Sequence, residues 1–126
     1  MVSNMQRMRD VNKQHRRRLK ELGFYDIVFL PHSRWFKDVF GLWDGWCKKR
    51  IEGSESLFKV YWLQLKTGYA KQKDKKALHD FCFNSGQRGL LLEYVQAKKK
   101  YKNRDTYYIG KEIKVTQFGV GDEHIF

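Results

Sequence analysis

What this sequence has little of narrows it first. Its only cysteines, Cys47 and Cys82, show no CxxC or Cys/His ligand spacing, which argues against a disulfide framework and a structural zinc site. Both are expected to be reduced thiols packed in the interior. No apolar run approaches the roughly 18 residues a spanning helix needs, and no lipidation pattern opens or closes the chain. The opening segment, "MVSNMQRMRDVNKQHRRRLKEL", lacks the apolar h-region of a secretory signal. A soluble intracellular protein with no membrane partner is therefore expected. Acidic residues are the last shortage: 14 Asp and Glu face 26 Lys and Arg, a formal charge of +12.

An excess of that size on a short chain points to a polyanionic partner, because Lys and Arg that meet phosphates release condensed counterions. Nucleic acid is the first expectation, DNA with RNA left open, and an anionic membrane surface the second. The 126 residues, 41% hydrophobic and 16% aromatic, suffice for one domain spanning 1–126 with a core of its own.

Met5, Met8, Val11, His15, Leu19 and Leu22 recur at steps of three and four, so residues 5–22 form an amphipathic helix that Gly23 stops. Its other face carries Arg16, Arg17 and Arg18 among further cations, a density of one sign that suits phosphate contact. "FYDIVFL" reads as a strand ended by Pro31, the chain's single proline; "DVFGLWDGWCKKR" and "LFKVYWLQLK" read as a hairpin. Ala77, Leu78, Phe81 and Cys82 mark a second helix stopped by Gly86. "GLLLEYV" is apolar enough to be buried on both sheet faces, a basic run separates it from a "TYYIG" strand, and residues 115–126 read as a loosely held tail. The expected fold is a small α/β domain: a mixed sheet flanked by helices, with the third and fourth strands parallel across a helical crossover. Residues 24–96 form its core.

The third strand raises a question. On alternation, Phe58, Val60, Trp62, Gln64 and Lys66 share one face, which turns from apolar to polar at its end. A buried amide or ammonium costs roughly a few kcal/mol without a partner. Asp44 interrupts the apolar stretch of the neighbouring strand, so the two anomalies can meet. An Asp, an amide carbonyl and a Lys at one sheet end are parts that hold a hard divalent cation and set a water against a phosphodiester: the carboxylate and the weaker Gln64 oxygen as ligands, Lys66 orienting or activating the nucleophile. Spacing alone fits an Asp44–Lys66 salt bridge equally well.

The succession "LKELGF", a strand, "PHSR", "DVFGLWDG" and "WLQLKTG" on αβββαβ resembles the PD-(D/E)xK nuclease superfamily of restriction-endonuclease-like fold, particularly small archaeal-type Holliday junction resolvases. It covers Arg7 to Val95. The resemblance puts the family's metal-binding Asp on Asp44, its (D/E)xK strand on Gln64-Leu65-Lys66, and its polar loop on His32, Ser33 and Arg34. It implies Mg²⁺-dependent cleavage of DNA, with Mn²⁺ as a substitute, by a homodimer acting on branched or single-stranded substrates. Such small proteins suit a virus or other mobile element. The sequence departs from the pattern in having no proline before Asp44 and Gln64 in place of the acid. Asp38 and Glu93 are the first candidates for the missing carboxylate, with Asp10 and Glu21 behind them. The alternatives are a protein of the same fold that binds nucleic acid without cutting it, and a basic structural or packaging protein.

Further candidates for nucleic-acid contact are Trp35, beside Arg34, and the cations Lys48, Lys49, Lys71 and Lys73, whose runs flank the hairpin and crossover. Phe36, Phe40, Trp43 and Trp46 suit base stacking or, more simply, the core. His79 and Cys82 form an HxxC pair, too few ligands for a metal, which assigns Cys82 to the core.

Overall fold

The computed structural model describes residues 4–31, 42–119 and 124–125. Helix α1 (Asn4–Glu21) leads into strands β1 (Tyr25–Phe29), β2 (Gly45–Arg50) and β3 (Phe58–Lys66); helix α2 (Gln72–Ser85) crosses to β4 (Arg88–Lys100), followed by β5 (Tyr107–Phe118) and β6 (His124–Ile125). All six strands form one sheet in chain order. β3 and β4 run parallel and every other neighbouring pair is antiparallel. The result is the α/β domain with a mixed, helix-flanked sheet and αβββαβ order expected from the sequence. None of the described helices is long and apolar enough to cross a membrane.

Each sheet face has its own core. On one, Leu19 of α1 joins Phe24, Cys47, Tyr61, Leu63 and Leu92; on the other, Leu78 and Cys82 of α2 join Trp43, Leu91 and Phe118. β4 is the common wall. Its Leu90, Leu91 and Leu92 are fully buried, as an apolar run between two layers requires. α1 buries His15 and Leu19 at its i, i+4 spacing and ends in a Schellman turn: Gly23, at φ +92°, donates to Lys20 O at 3.0 Å, and Phe24 donates to Leu19 O at 3.0 Å. Both cysteines are buried free thiols.

The sequence boundaries shift at two places. Val115–Phe118, expected in a loose tail from 115 to 126, belong to β5, with Val115 and Phe118 buried. Gly110 suggested an end, but the strand passes through it because it sits opposite Ala97 in the ladder with β4. Likewise Lys98, Lys99 and Lys100 continue β4 instead of opening a loop, since each pairs with a residue of β5. The second strand is regular only from Gly45, and residues 38–41 lie outside the described residues.

Candidate active site at the ends of β3 and β4

Chain geometry brings Asp44, Gln64, Lys66 and Glu93 toward the carboxyl ends of the two parallel strands, on the face that α2 covers. In the ladder Gly45 pairs with Leu63, which sets Asp44 beside Gln64, while Lys66 pairs with Glu93. Open α/β sheets keep ligand sites at this end of their strands.

Asp44 is 6% exposed and held on several sides. Its N–H donates to Leu63 O at 2.7 Å, its carbonyl accepts from Leu30 N–H at 2.8 Å, and its Oδ2 accepts from Leu65 N–H at 2.8 Å. Gln64 adds another bond. Its amide is oriented by its neighbours, so that Nε2 donates to Leu42 O at 2.6 Å and to Asp44 Oδ2 at 2.8 Å. The half-buried amide and the carboxylate of the adjacent strand therefore satisfy each other. Gly45 is required next to Asp44, because a Cβ there would run into Val28 O where β1 crosses close.

Lys66, a third exposed, pairs with Asp74 of α2 at 3.9 Å. Glu93 is fully buried; its Oε2 accepts from Ala70 N–H at 2.8 Å and lies 3.9 Å from Lys75 Nζ, while Oε1 has no partner among the described residues. Lys114 stands opposite Glu93 on β5. With Asp44, three acids (Asp44, Asp74, Glu93) and three amines (Lys66, Lys75, Lys114) gather at the strand ends, a charge-balanced cluster. Asp74 and Lys75 escape a sequence reading, where they are members of the run "KQKDKK"; its lone acid was the only available signal.

Behind the sheet, fully buried His15 meets Tyr94 edge-on at 6.4 Å, and neither of its ring nitrogens has a hydrogen-bond partner among the described residues. Burial lowers its pKa to about 4, against a partial upward pull from the Lys66 main chain. It is a neutral core residue at pH 7. Burial also pushes the thiols up, Cys47 to about 12 and Cys82 to about 11, which removes both as nucleophiles.

Among the described residues no cluster of three or more His, Cys, Asp or Glu could hold a metal ion. The donor set is still compatible with Mg²⁺, which keeps several waters and is commonly bound through one or two carboxylates plus substrate phosphate. Asp44 would supply one carboxylate, and two strands away Glu93 has a buried Oε1 with no partner among the described residues. Asp38, the other candidate, lies outside the described residues, as do His32, Ser33, Arg34, Trp35, Phe36 and Phe40. Asp10 and Glu21 lie on α1, with Glu21 paired to Arg18 at 3.4 Å.

The candidate nucleic-acid contacts divide by environment. Arg16 is turned inward, donating to Ile27 O at 2.8 Å and lying 4.7 Å over the Phe29 ring. Lys48 pairs with Asp26 at 3.5 Å and covers Phe58, and Lys49 covers Phe24. Arg17, Lys71 and Lys73 are exposed, and Arg18 lies beside Arg17 on a cleft against β4 and β5. Trp43 is in the core, and Trp46 meets Trp62 edge-on at 6.3 Å. No protein-family model matches the chain, and no curated protein and no solved structure matches it either.

Proposed function

We propose that this protein is a metal-dependent endonuclease that hydrolyses DNA phosphodiester bonds. One observation carries the reading: a buried carboxylate, an amide and a lysine, the D…QxK set of Asp44, Gln64 and Lys66, fall on one face at the strand ends of an αβββαβ sheet. The order is compatible with the restriction-endonuclease-like fold that the sequence resembles, and the chain as a whole carries a formal charge of +12.

In this reading Asp44, with Gln64 and Glu93 as supplementary donors, would hold Mg²⁺ or Mn²⁺, and the ion when bound supplies Lewis-acid polarisation of the scissile phosphate. The protein's own part is orientation. Leu65 N–H and the Gln64 amide fix the Asp44 carboxylate in one rotamer. Asp74 steadies Lys66, whose ammonium offsets phosphate charge and positions the attacking water. Cutting both strands of a junction symmetrically calls for two copies of such a site, hence a homodimer.

A second reading has its own observation. Gln64 lies against two acceptors, Leu42 O and Asp44 Oδ2, so hydrogen bonding assigns its nitrogen to that side, where it occupies the carboxylate much as a ligand would. A protein that binds nucleic acid without cutting it fits that contact. The deciding experiment incubates wild type, Asp44→Ala and Lys66→Ala with plasmid, linear, single-stranded and four-way-junction DNA in Mg²⁺, Mn²⁺ or EDTA. Metal-dependent cleavage lost in both variants supports the nuclease. Cleavage that survives in both overturns the site, and tight, salt-sensitive binding with no cleavage supports the second reading.

A further inference from the structure

Beyond Glu93, β4 has no partner in β3: the β3 ladder ends at the Lys66–Glu93 pair, whereas pairing with β5 continues to Lys100 and Tyr107. Tyr94–Lys100 and Tyr107–Ile113 therefore form a two-stranded ribbon that runs past the body of the sheet for roughly 24 Å, at about 3.4 Å per residue. A ribbon with no third strand among the described residues has little core of its own, so its outer side chains serve something else.

Those side chains are unusual. Lys98, Lys100, Lys102 and Arg104 are exposed on the ribbon and its tip, against Asp105, which pairs with Lys100 at 3.8 Å. Ile109 is 72% exposed and Tyr107 54% exposed. Alongside the ribbon, Arg17 and Arg18 of α1 line a cleft of about 450 Å³ together with Lys99 and Lys111, whose acids are Glu21 and Glu112. Cations thus line both the arm and the hollow where it meets the body.

We infer that the β4–β5 ribbon is an arm that enters a groove of double-helical DNA, with its lysines on the flanking phosphates and Ile109 toward the base edges. This rests on the nucleic-acid part of the proposed function and not on catalysis. The major groove of B-DNA is about 12 Å wide and admits a two-stranded ribbon. The tyrosines argue for duplex over single strand. Tyr101 and Tyr108 rings lie 4.7 Å apart, Lys98 covers one face of Tyr107 at 4.7 Å, and Arg104 covers Tyr101 at 5.7 Å, so part of the ring surface that would stack on unpaired bases is engaged within the arm.

The test is fluorescence anisotropy of the full chain with a labelled duplex and a labelled single strand across a salt series. It compares wild type with Lys98→Gln/Lys100→Gln/Lys102→Gln and with Arg17→Gln/Arg18→Gln, each first shown to keep the wild-type melting temperature. For the lysine variant the slope of log K against log salt for duplex is expected to become shallower by about 0.9 per lysine removed, with affinity down tenfold or more at moderate salt. The arginine variant is expected to weaken duplex binding in the same direction. Wild-type binding to duplex that the lysine variant reproduces, slope included, overturns the arm while leaving nucleic-acid binding intact. Preference of wild type for the single strand overturns the groove assignment. Absence of binding to either DNA overturns the arm and the proposed function together.

Discussion

The Gln64 amide nitrogen lies 2.8 Å from Asp44 Oδ2, across the junction between β2 and β3. A neutral amide donor at this point satisfies part of the nearly buried carboxylate, and this makes a defined prediction for the carboxylate variant. Gln64→Glu sets two acids about 3 Å apart, which raises one of their pKa values. A shift of about 1.5 units costs about 2 kcal/mol at pH 7. Because the folded pKa is raised, the penalty is present at neutral pH and vanishes as the pH falls below it. Saturating Mg²⁺ or Mn²⁺, at 100 times the dissociation constant, restores about 2.7 kcal/mol if the pair binds the ion. Urea unfolding of the variant in EDTA, in metal and at pH 4.5 checks this; the same profile as wild type in all three would show that the two side chains do not face each other.

His15 gives a second, independent pH dependence. Its pKa is lowered by burial to about 4 from an ordinary 6.5, so between these values the unfolded chain binds a proton that the folded chain refuses. The stability that this residue permits is complete above pH 6.5 and is lost as the pH falls toward 4, by about 3 kcal/mol over the window. His15→Leu keeps the apolar contacts and removes the titration. The difference in unfolding free energy between the two proteins should therefore grow in favour of the variant from pH 7 to pH 4. A constant difference would mean that His15 is not buried as neutral imidazole.

Much of this architecture is legible in the letters, and the reasons are local. "GLLLEYV" has no polar alternation because β4 is walled by α1 on one side and α2 on the other, and Leu78 and Cys82 mark the buried stripe of α2 at the i, i+4 spacing. The meeting of Asp44 and Gln64 follows from strand alternation and a hairpin register. What alternation cannot supply is the other partner in each pair. Lys66 finds Asp74 and Glu93 finds Lys75 only because α2 descends over the strand ends, a packing angle that no periodicity encodes. The run of β4 into its lysines was illegible for a similar reason: Lys98 and Lys100 have no strand propensity, and only the complementary "YYI" of β5 keeps them in the ladder.

The Lys75–Glu93 contact is expected to behave as a coupled pair. Lys75→Met leaves a fully buried carboxylate with one N–H donor and Lys114 nearby, and should cost about 2 kcal/mol or more, below the 3–5 of a wholly buried pair because Lys75 is partly exposed. Glu93→Gln keeps an oxygen for Ala70 N–H. The double variant should then be more stable than the sum of the two single losses implies, by about 1 kcal/mol. Additive losses in a urea double-mutant cycle would mean that the 3.9 Å approach carries no energy.

Gly89 gives the most direct test of how the site's floor is built. Trp43, the residue before Asp44, is fully buried, and its indole lies where a Cβ on Gly89 would be; the six-membered ring of the tryptophan fills that space. Gly89→Ala must therefore push the indole off β4, and the overpacking should cost about 1–3 kcal/mol. Displacing Trp43 also displaces the backbone that carries Asp44, whose N–H is bonded to Leu63 O. If Asp44 is the metal-binding carboxylate, Gly89→Ala should lower DNA cleavage at temperatures where the protein remains folded, and Trp43→Phe in the same background, by freeing the space of the larger ring, should recover part of both stability and cleavage. Recovery of stability alone would separate the floor from the chemistry above it.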